Sequence, residues 1–417
     1  MIRESFIKWI WVPGSFFAVK VILLHPKLIN PKNKNKYFCE MQKIYLDNAA
    51  TTPLNPEVVE VMCDQLRDNF GNPSSTHEYG RKARALLERT RKEIAAYFKC
   101  SPSQVLFTSG GSEADNLVLQ NAARNWGIKR FISSAIEHHA VLHALDAIKM
   151  ENDVAVDMVR IDAHGEVDLE HLKQLLESSD VRSLVSLMMV NNEIGNLLNV
   201  SEVSALCKEH GALFHSDTVQ GIGHVDFNLE DNPIDFIAAS AHKFHGPKGV
   251  GFAIVPKGTH IEPLIHGGEQ EMGTRAGTEN THSIAGMGKA LQMALDNFET
   301  DREYVSDLKK YFIEQLRNNF NGIEFNGRSA DAEKSAFHIL SVRFPKDVPM
   351  LLFNLDLNGI SASGGSACQS GSNKGSHVLS AILDEKESEK TSVRFSFSKH
   401  NTRQEIDRVI EVLKDLI

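Results

Sequence analysis

Between residues 105 and 255 short apolar runs alternate with helical patterns, and this alternation constrains the fold more than any other feature. The runs are Val105–Thr108, Phe131–Ile136, Leu184–Val190, Ala212–His215, Phe236–Ala239 and Val250–Val255. Strands separated by helices predict an α/β domain around a largely parallel, buried sheet. Helix signals flank the runs. Asn55-Pro56-Glu57 supplies a capping Asn, Pro at the first helical position and an acid in the first turn. Ala83, Leu86, Leu87, Ile94 and Phe98 share one face of a helix expected over 78–98.

From about Asp296 the texture changes to a long amphipathic helix, Asp301–Phe320, then strands and a closing helix, Thr402–Leu416. The expected organisation is a large domain over 55–296 and a smaller α+β domain over 297–417, with 41–54 joining the small domain. Residues 1–40 read as an N-terminal extension, disordered or not native, with Met41 as the biological start. Their apolar stretch, Phe6–Leu24, is interrupted by Lys8, Pro13 and Lys20. That leaves no run near the ~20 apolar residues of a membrane span. If the extension is genuine, it reads as a basic, aromatic organelle presequence; otherwise a bacterial cytoplasm is expected.

Charge excludes one class of partner. The chain carries 45 basic and 54 acidic residues, net −9, and residues 1–40 alone hold seven of the basic and two of the acidic ones. The acidic body is a poor match for a phosphate backbone, so nucleic-acid binding is disfavoured. Cys39, Cys63, Cys100, Cys207 and Cys368 form an odd set with no CxxC pair. They fit neither a disulfide framework nor a zinc finger, and a reducing compartment suits them.

Four motifs sit where strands end, as ligand sites do in open α/β sheets. Thr108-Ser109-Gly110-Gly111-Ser112-Glu113 reads either as an anion cradle at a helix start or as an ordinary strand-to-helix turn. It lacks the Gly-Lys-Ser/Thr of a nucleotide P-loop and the GxGxxG spacing. His215-Ser216-Asp217-Thr218-Val219-Gln220 offers a carboxylate for a ring nitrogen, or a helix-capping Asp. Ser240-Ala241-His242-Lys243-Phe244-His245 offers a desolvated, nucleophilic lysine of the Schiff-base kind, or a basic surface loop. No carboxylate or thiol lies near His242 and His245 in sequence, so no metal site is expected there. Finally, Cys368 sits in a Gly/Ser-rich stretch, Ser361–Ser376, a placement that favours a reactive thiol over an inert buried one.

Taken with Tyr45–Pro53, Phe70–Ser75, Glu137-His138, Val190–Gly195 and Arg275–Thr278, these motifs resemble the cysteine desulfurases, from Ile44 to about Ile417. That family is class V aminotransferase-like and uses pyridoxal 5'-phosphate. The resemblance implies a fold-type-I transferase, whose large domain holds a mostly parallel seven-stranded sheet, and a homodimer with its active sites at the interface. It implies that Lys243 bonds the cofactor aldehyde, Asp217 meets the pyridine nitrogen and Gln220 the ring hydroxyl. His138 matches the imidazole that stacks on the ring and moves protons. Gly111, Ser112, Ser240 and His242 match phosphate-binding positions, and Thr278 a phosphate contact from the other subunit. Asn192 and Arg394 match the groups that hold the substrate carboxylate, and Cys368 the nucleophile that accepts sulfur.

The implied reaction converts L-cysteine to L-alanine and leaves a persulfide on Cys368. The nine residues Gln369 to His377 match the long-loop group, which passes sulfur to acceptor proteins such as iron–sulfur scaffolds or tRNA-thiolation relays. The competing reading is a class V aminotransferase or another amino-acid lyase on the same cofactor, for which Cys368 would be dispensable. A non-catalytic scaffold is opposed by the presence of Lys243, Asp217 and Cys368. Glu269 and Met272 depart from the family's usual Gly and Arg, which leaves the interface segment less well matched than the chemistry.

Overall fold

The computed structural model describes residues 7–10, 19–22, 43–364 and 375–417. Cys39, Met41 and Cys368 lie outside the described residues. In the N-terminal stretch Ile7–Ile10 pairs antiparallel with Val19–Ile22.

Seven strands form the central sheet. Their order is Val105–Thr108, Gly251–Ile254, Phe236–Ser240, Leu213–Asp217, Ser183–Ser186, Arg130–Ser134 and Ala155–Val159. Gly251–Ile254 runs antiparallel to both neighbours, and every other adjoining pair is parallel. The expected mostly parallel seven-stranded sheet is therefore present. Every residue of Val105–Thr108, Arg130–Ser134, Ser183–Ser186, Phe236–Ser240 and Gly251–Ile254 is buried, as both-face burial by helices requires. The sequence reading passed over Ala155–Val159. It is one of the two edge strands, largely solvent-facing, and Asp157 interrupts its apolar pattern to pair with Arg130.

The helix signals work as local chemistry dictates. The Asn55 side chain accepts the Glu57 N–H at 3.0 Å, and Pro56 opens the helix Pro56–Asp68. Thr402 and Glu405 form a reciprocal capping box at the start of Arg403–Leu416. The long amphipathic helix runs over Phe298–Asn319, three residues earlier than its charge pattern suggested, with Phe298 packed inward.

Two main cores result. One packs on one face of the central sheet and includes Leu87, Ile132, Val185, Phe214, Ile237, Phe252 and Met287. The other gathers Ile44 and Leu46 with Leu308, Phe312, Leu340, Phe395, Val409 and Leu413. It packs against the antiparallel sheet Glu324–Phe325, Ile339–Arg343, Ser392–Ser396. Ile44–Tyr45 pairs in parallel with Ile360–Ser361, and the Ser396 N–H donates to Leu46 O at 2.8 Å. The segment after Tyr45 is thereby stitched to the strand that carries Arg394, and it continues to the end of the central sheet. Among the described residues no helix is long and apolar enough to cross a membrane.

Candidate active site

The carboxyl ends of the parallel strands converge on one pocket. Leu213–Asp217 ends on Asp217, and Phe236–Ser240 ends on Ser240. The chain then turns through Ala241–Lys243 in a single 3-10 turn that aims Lys243 into the same space. The pocket is lined by Gly111, Ser112, His138, Asn192, Asp217, Gln220, Ser240, His242, Lys243 and Arg394. Ten of the twelve residues singled out from sequence are thus brought together. Thr278 is exposed and does not line the pocket, and Cys368 lies outside the described residues.

Close approach explains the glycines. A Cβ on Gly111, at the first turn of the helix Gly111–Arg124, would sit 2.5 Å from Val219 Cγ2. Gly110 adopts φ +151°, a conformation that side chains disfavour. With no side chain at 110 or 111, the unpaired N–H groups of the helix start face the pocket beside Ser112 and Ser240. That arrangement suits a phosphate.

Asp217 forms the opposite pole. One carboxylate oxygen accepts the Val219 N–H at 2.9 Å. Burial raises the carboxyl above its ordinary range, opposed by nearby His138, that N–H and Lys243. A buried carboxylate with one oxygen so held fits a protonated ring nitrogen, which would restore its ionised form. His138 caps the helix His139–Glu151, its Nδ1 accepting the Ala140 N–H at 3.1 Å. Nδ1 is therefore unprotonated, and burial keeps the ring on the neutral side of its usual range. Lys243 Nζ donates to Ala49 O at 2.7 Å and Ala50 O at 2.8 Å.

Arg394 is held more firmly than the sequence suggested. Its Nη1 donates to Asn192 O at 2.7 Å and its Nη2 to Asp47 Oδ1 at 2.9 Å. Asp47 lay within a quoted motif without a role; here it fixes the guanidinium plane at the pocket wall. Asp115 was missed altogether. It lies four residues after Gly111 on the same inward helix face and lines the pocket, a spacing visible in the sequence. Burial, with Asp217 and Glu137 nearby, lifts its carboxyl well above the ordinary range.

Burial similarly pushes Glu137 up to about 8, against hydrogen bonds from Met188 N–H and Ser134 Oγ, both to Oε1 at 3.0 Å. A carboxyl near 4.3 when unfolded but near 8 when folded stabilises the fold below the lower value and loses that contribution as pH rises through the upper one. Glu137→Gln keeps the Oε1 acceptor and cannot ionise. The unfolding free energy of the variant relative to the parent is expected to rise between pH 4 and pH 8.5, by on the order of 1 kcal/mol or more. A difference that does not change with pH would contradict this.

Comparisons with known proteins point the same way. Residues 44–409 match the family model described as aminotransferase class-V. A protein named cysteine desulfurase IscS from Dictyoglomus turgidum is 39% identical over 90% of this chain and 95% of its own. The putative cysteine desulfurase IscS 1 of Bacillus subtilis is 38% identical over 90% of this chain and 99% of its own. Among solved structures, a NifS-like protein superposes with a TM-score of 0.82 at 34% identity, over 90% of this chain and 99% of that one. A structure described as SspA in complex with cysteine gives a TM-score of 0.75 at 30% identity, over 87% and 100%.

Proposed function

The chain belongs to the class V aminotransferase family, and from that premise we propose that it is a pyridoxal 5'-phosphate-dependent cysteine desulfurase. The observation that carries this reading is the convergence of Lys243, Asp217, His138 and Arg394 on one pocket whose rim includes the glycine-opened helix start. Pyridoxal phosphate, when bound, supplies the electron sink that lets a substrate amino acid lose its Cα proton and then its Cβ–S bond. The chain's residues do the rest.

Lys243 would hold the cofactor covalently through Nζ, and the same Nζ would move the substrate Cα proton. Asp217 holds the proton on the ring nitrogen and Gln220 meets the ring hydroxyl. Gly111, Ser112, Ser240 and His242 hold the phosphate, with Thr278 of a second copy completing the cradle in a homodimer. His138 would lie against the bound cofactor and accept the substrate thiol proton through Nε2 as the cysteine enters. Arg394 and Asn192 hold the substrate carboxylate. The Cys368 thiolate forms the new S–S bond while the Cβ–S bond breaks, its electron pair returning to the substrate carbon skeleton. One cysteine and one enzyme thiol thereby become one alanine and one enzyme persulfide, with no external oxidant. The persulfide sulfur then passes to acceptor proteins that serve iron–sulfur cluster assembly or tRNA thiolation. The two hydrophobic cores would serve as a large domain over 55–296 and a small one over 297–417.

Arg394 gives a test that separates binding from chemistry. Removing the planar fork with Arg394→Leu deletes a charge-assisted contact to the substrate carboxylate. KM for L-cysteine is expected to rise about 10- to 100-fold. The visible absorbance of the bound cofactor should be retained. An unchanged KM would remove Arg394 from the substrate site.

A further inference from the structure

Gln220 has two ends of nearly identical shape, and only one of them can donate. A carboxamide facing a cofactor oxygen is useful in one orientation and repulsive in the other. Two side chains outside the set already assigned bear on that choice.

The Gln220 amide nitrogen donates to Ala49 O at 2.8 Å. Ala49 O is a backbone acceptor that also receives Lys243 Nζ at 2.7 Å, so only the nitrogen end can face it. The Oε1 end then lies 3.3 Å from His338 Nε2, which must carry the hydrogen. His338 is buried, and the partly buried imidazole of His224 stacks on it with centroids 3.7 Å apart at 20°. His224 lies four residues after Gln220 in the chain. The turn between them is closed by Gly221 N–H to Thr218 O at 2.8 Å and His224 N–H to Gly221 O at 2.9 Å. The Gln220 side chain is therefore held at its oxygen end by one of a pair of stacked rings.

The pair is built to stay neutral. The charged groups that face His338 are Lys309, Arg394 and Lys243, and those that face His224 are His245 and Lys243, all cationic or imidazole. Burial holds both rings unprotonated, His224 down to about 3. A neutral His338 with its hydrogen on Nε2 donates to Oε1 and leaves the second amide hydrogen of Gln220 free for the pocket that Gln220 lines.

We propose that His338, backed by the ring of His224, is a positioning residue that fixes the Gln220 carboxamide so that it presents an N–H, not a carbonyl, to the cofactor's ring oxygen. The proposal rests on the reading that Gln220 meets that oxygen. It also gives a reason for a histidine 118 residues away in sequence to meet Gln220.

The bound cofactor's visible band reports one proton shared between the Lys243 nitrogen and the ring oxygen. A donor on the oxygen stabilises the negative charge left when the proton departs, so it lowers the pH at which the band titrates. In the purified holoprotein, without substrate, His338→Phe is expected to raise that midpoint by about one pH unit, the scale of a hydrogen bond to a charged group. Gln220→Leu should shift it in the same direction, and the double variant no further than Gln220→Leu alone. His338→Gln, which restores a donor, should bring the midpoint back toward the parent. It also keeps the test decisive if the Phe variant fails to fold: a His338→Gln midpoint as high as that of Gln220→Leu would count against the proposal. If Gln220→Leu shifts the band and His338→Phe does not, His338 has no positioning role while the Gln220 reading stands. If Gln220→Leu leaves the band unmoved, both readings fall.

Discussion

Lys243→Ala is expected to lower alanine formation from L-cysteine by on the order of 10⁴-fold or more. The size follows from two losses at one atom. Among the described residues Nζ is the only amine lining the pocket, so on the proposed reading its removal deletes both the covalent link to the cofactor and the base that moves the Cα proton. Asp217, His138 and the glycine-opened helix start do not depend on Lys243 for their positions. Asp217 is set by its strand and by the Val219 N–H, and His138 by its cap on the next helix. The variant should therefore still bind the cofactor through phosphate and ring contacts while its visible band changes. Turnover at the parent rate would overturn the assignment of Lys243.

Cys368→Ala is expected to abolish persulfide on the enzyme and cut sulfide release to background, at least ~10²-fold, with cofactor content unchanged. The thiolate is the nucleophile, and the other described thiols are poor substitutes. Burial pushes Cys100 up to about 11 and Cys207 up to about 12. Cys63 is exposed on the helix Pro56–Asp68 and does not line the pocket. None of these three can take over at neutral pH. Mass measurement of the parent after cysteine should find one extra sulfur on the peptide that contains Cys368. The same mass gain on another cysteine, or undiminished sulfide release by the variant, would refute the role.

Much of this site was legible because its residues come from strand ends, where local pattern and function coincide. Ser240 follows an apolar run directly, Asp217 and Lys243 come within four residues of one, and Gly110-Gly111 mark a strand-to-helix turn by composition alone. Other parts were not legible for equally physical reasons. The edge strand Ala155–Val159 faces solvent, so it lacks the continuous apolar run that announced its neighbours. Asp47 acts on Arg394 across 347 positions, a pairing created by the parallel contact of Ile44–Tyr45 with Ile360–Ser361. Asp115 showed the right helical spacing from Gly111, but its role depends on proximity to Asp217 and Glu137, which only the packed sheet supplies. His224 and His338 look like unremarkable residues in sequence and meet only because the two cores are brought together around Gln220. The shared lesson is that strand-end chemistry is local, whereas the groups that aim it are assembled by tertiary contact.

The most direct measurement is to quantify alanine and sulfide in the same reaction, from L-cysteine and a reductant, with the purified cofactor-loaded protein. Desulfuration requires one alanine for each sulfide, both at the same rate. Equal yields are the expected result. A cofactor-coloured protein that consumes cysteine only when a keto acid is added, and releases no sulfide, would contradict it and make the chain an aminotransferase.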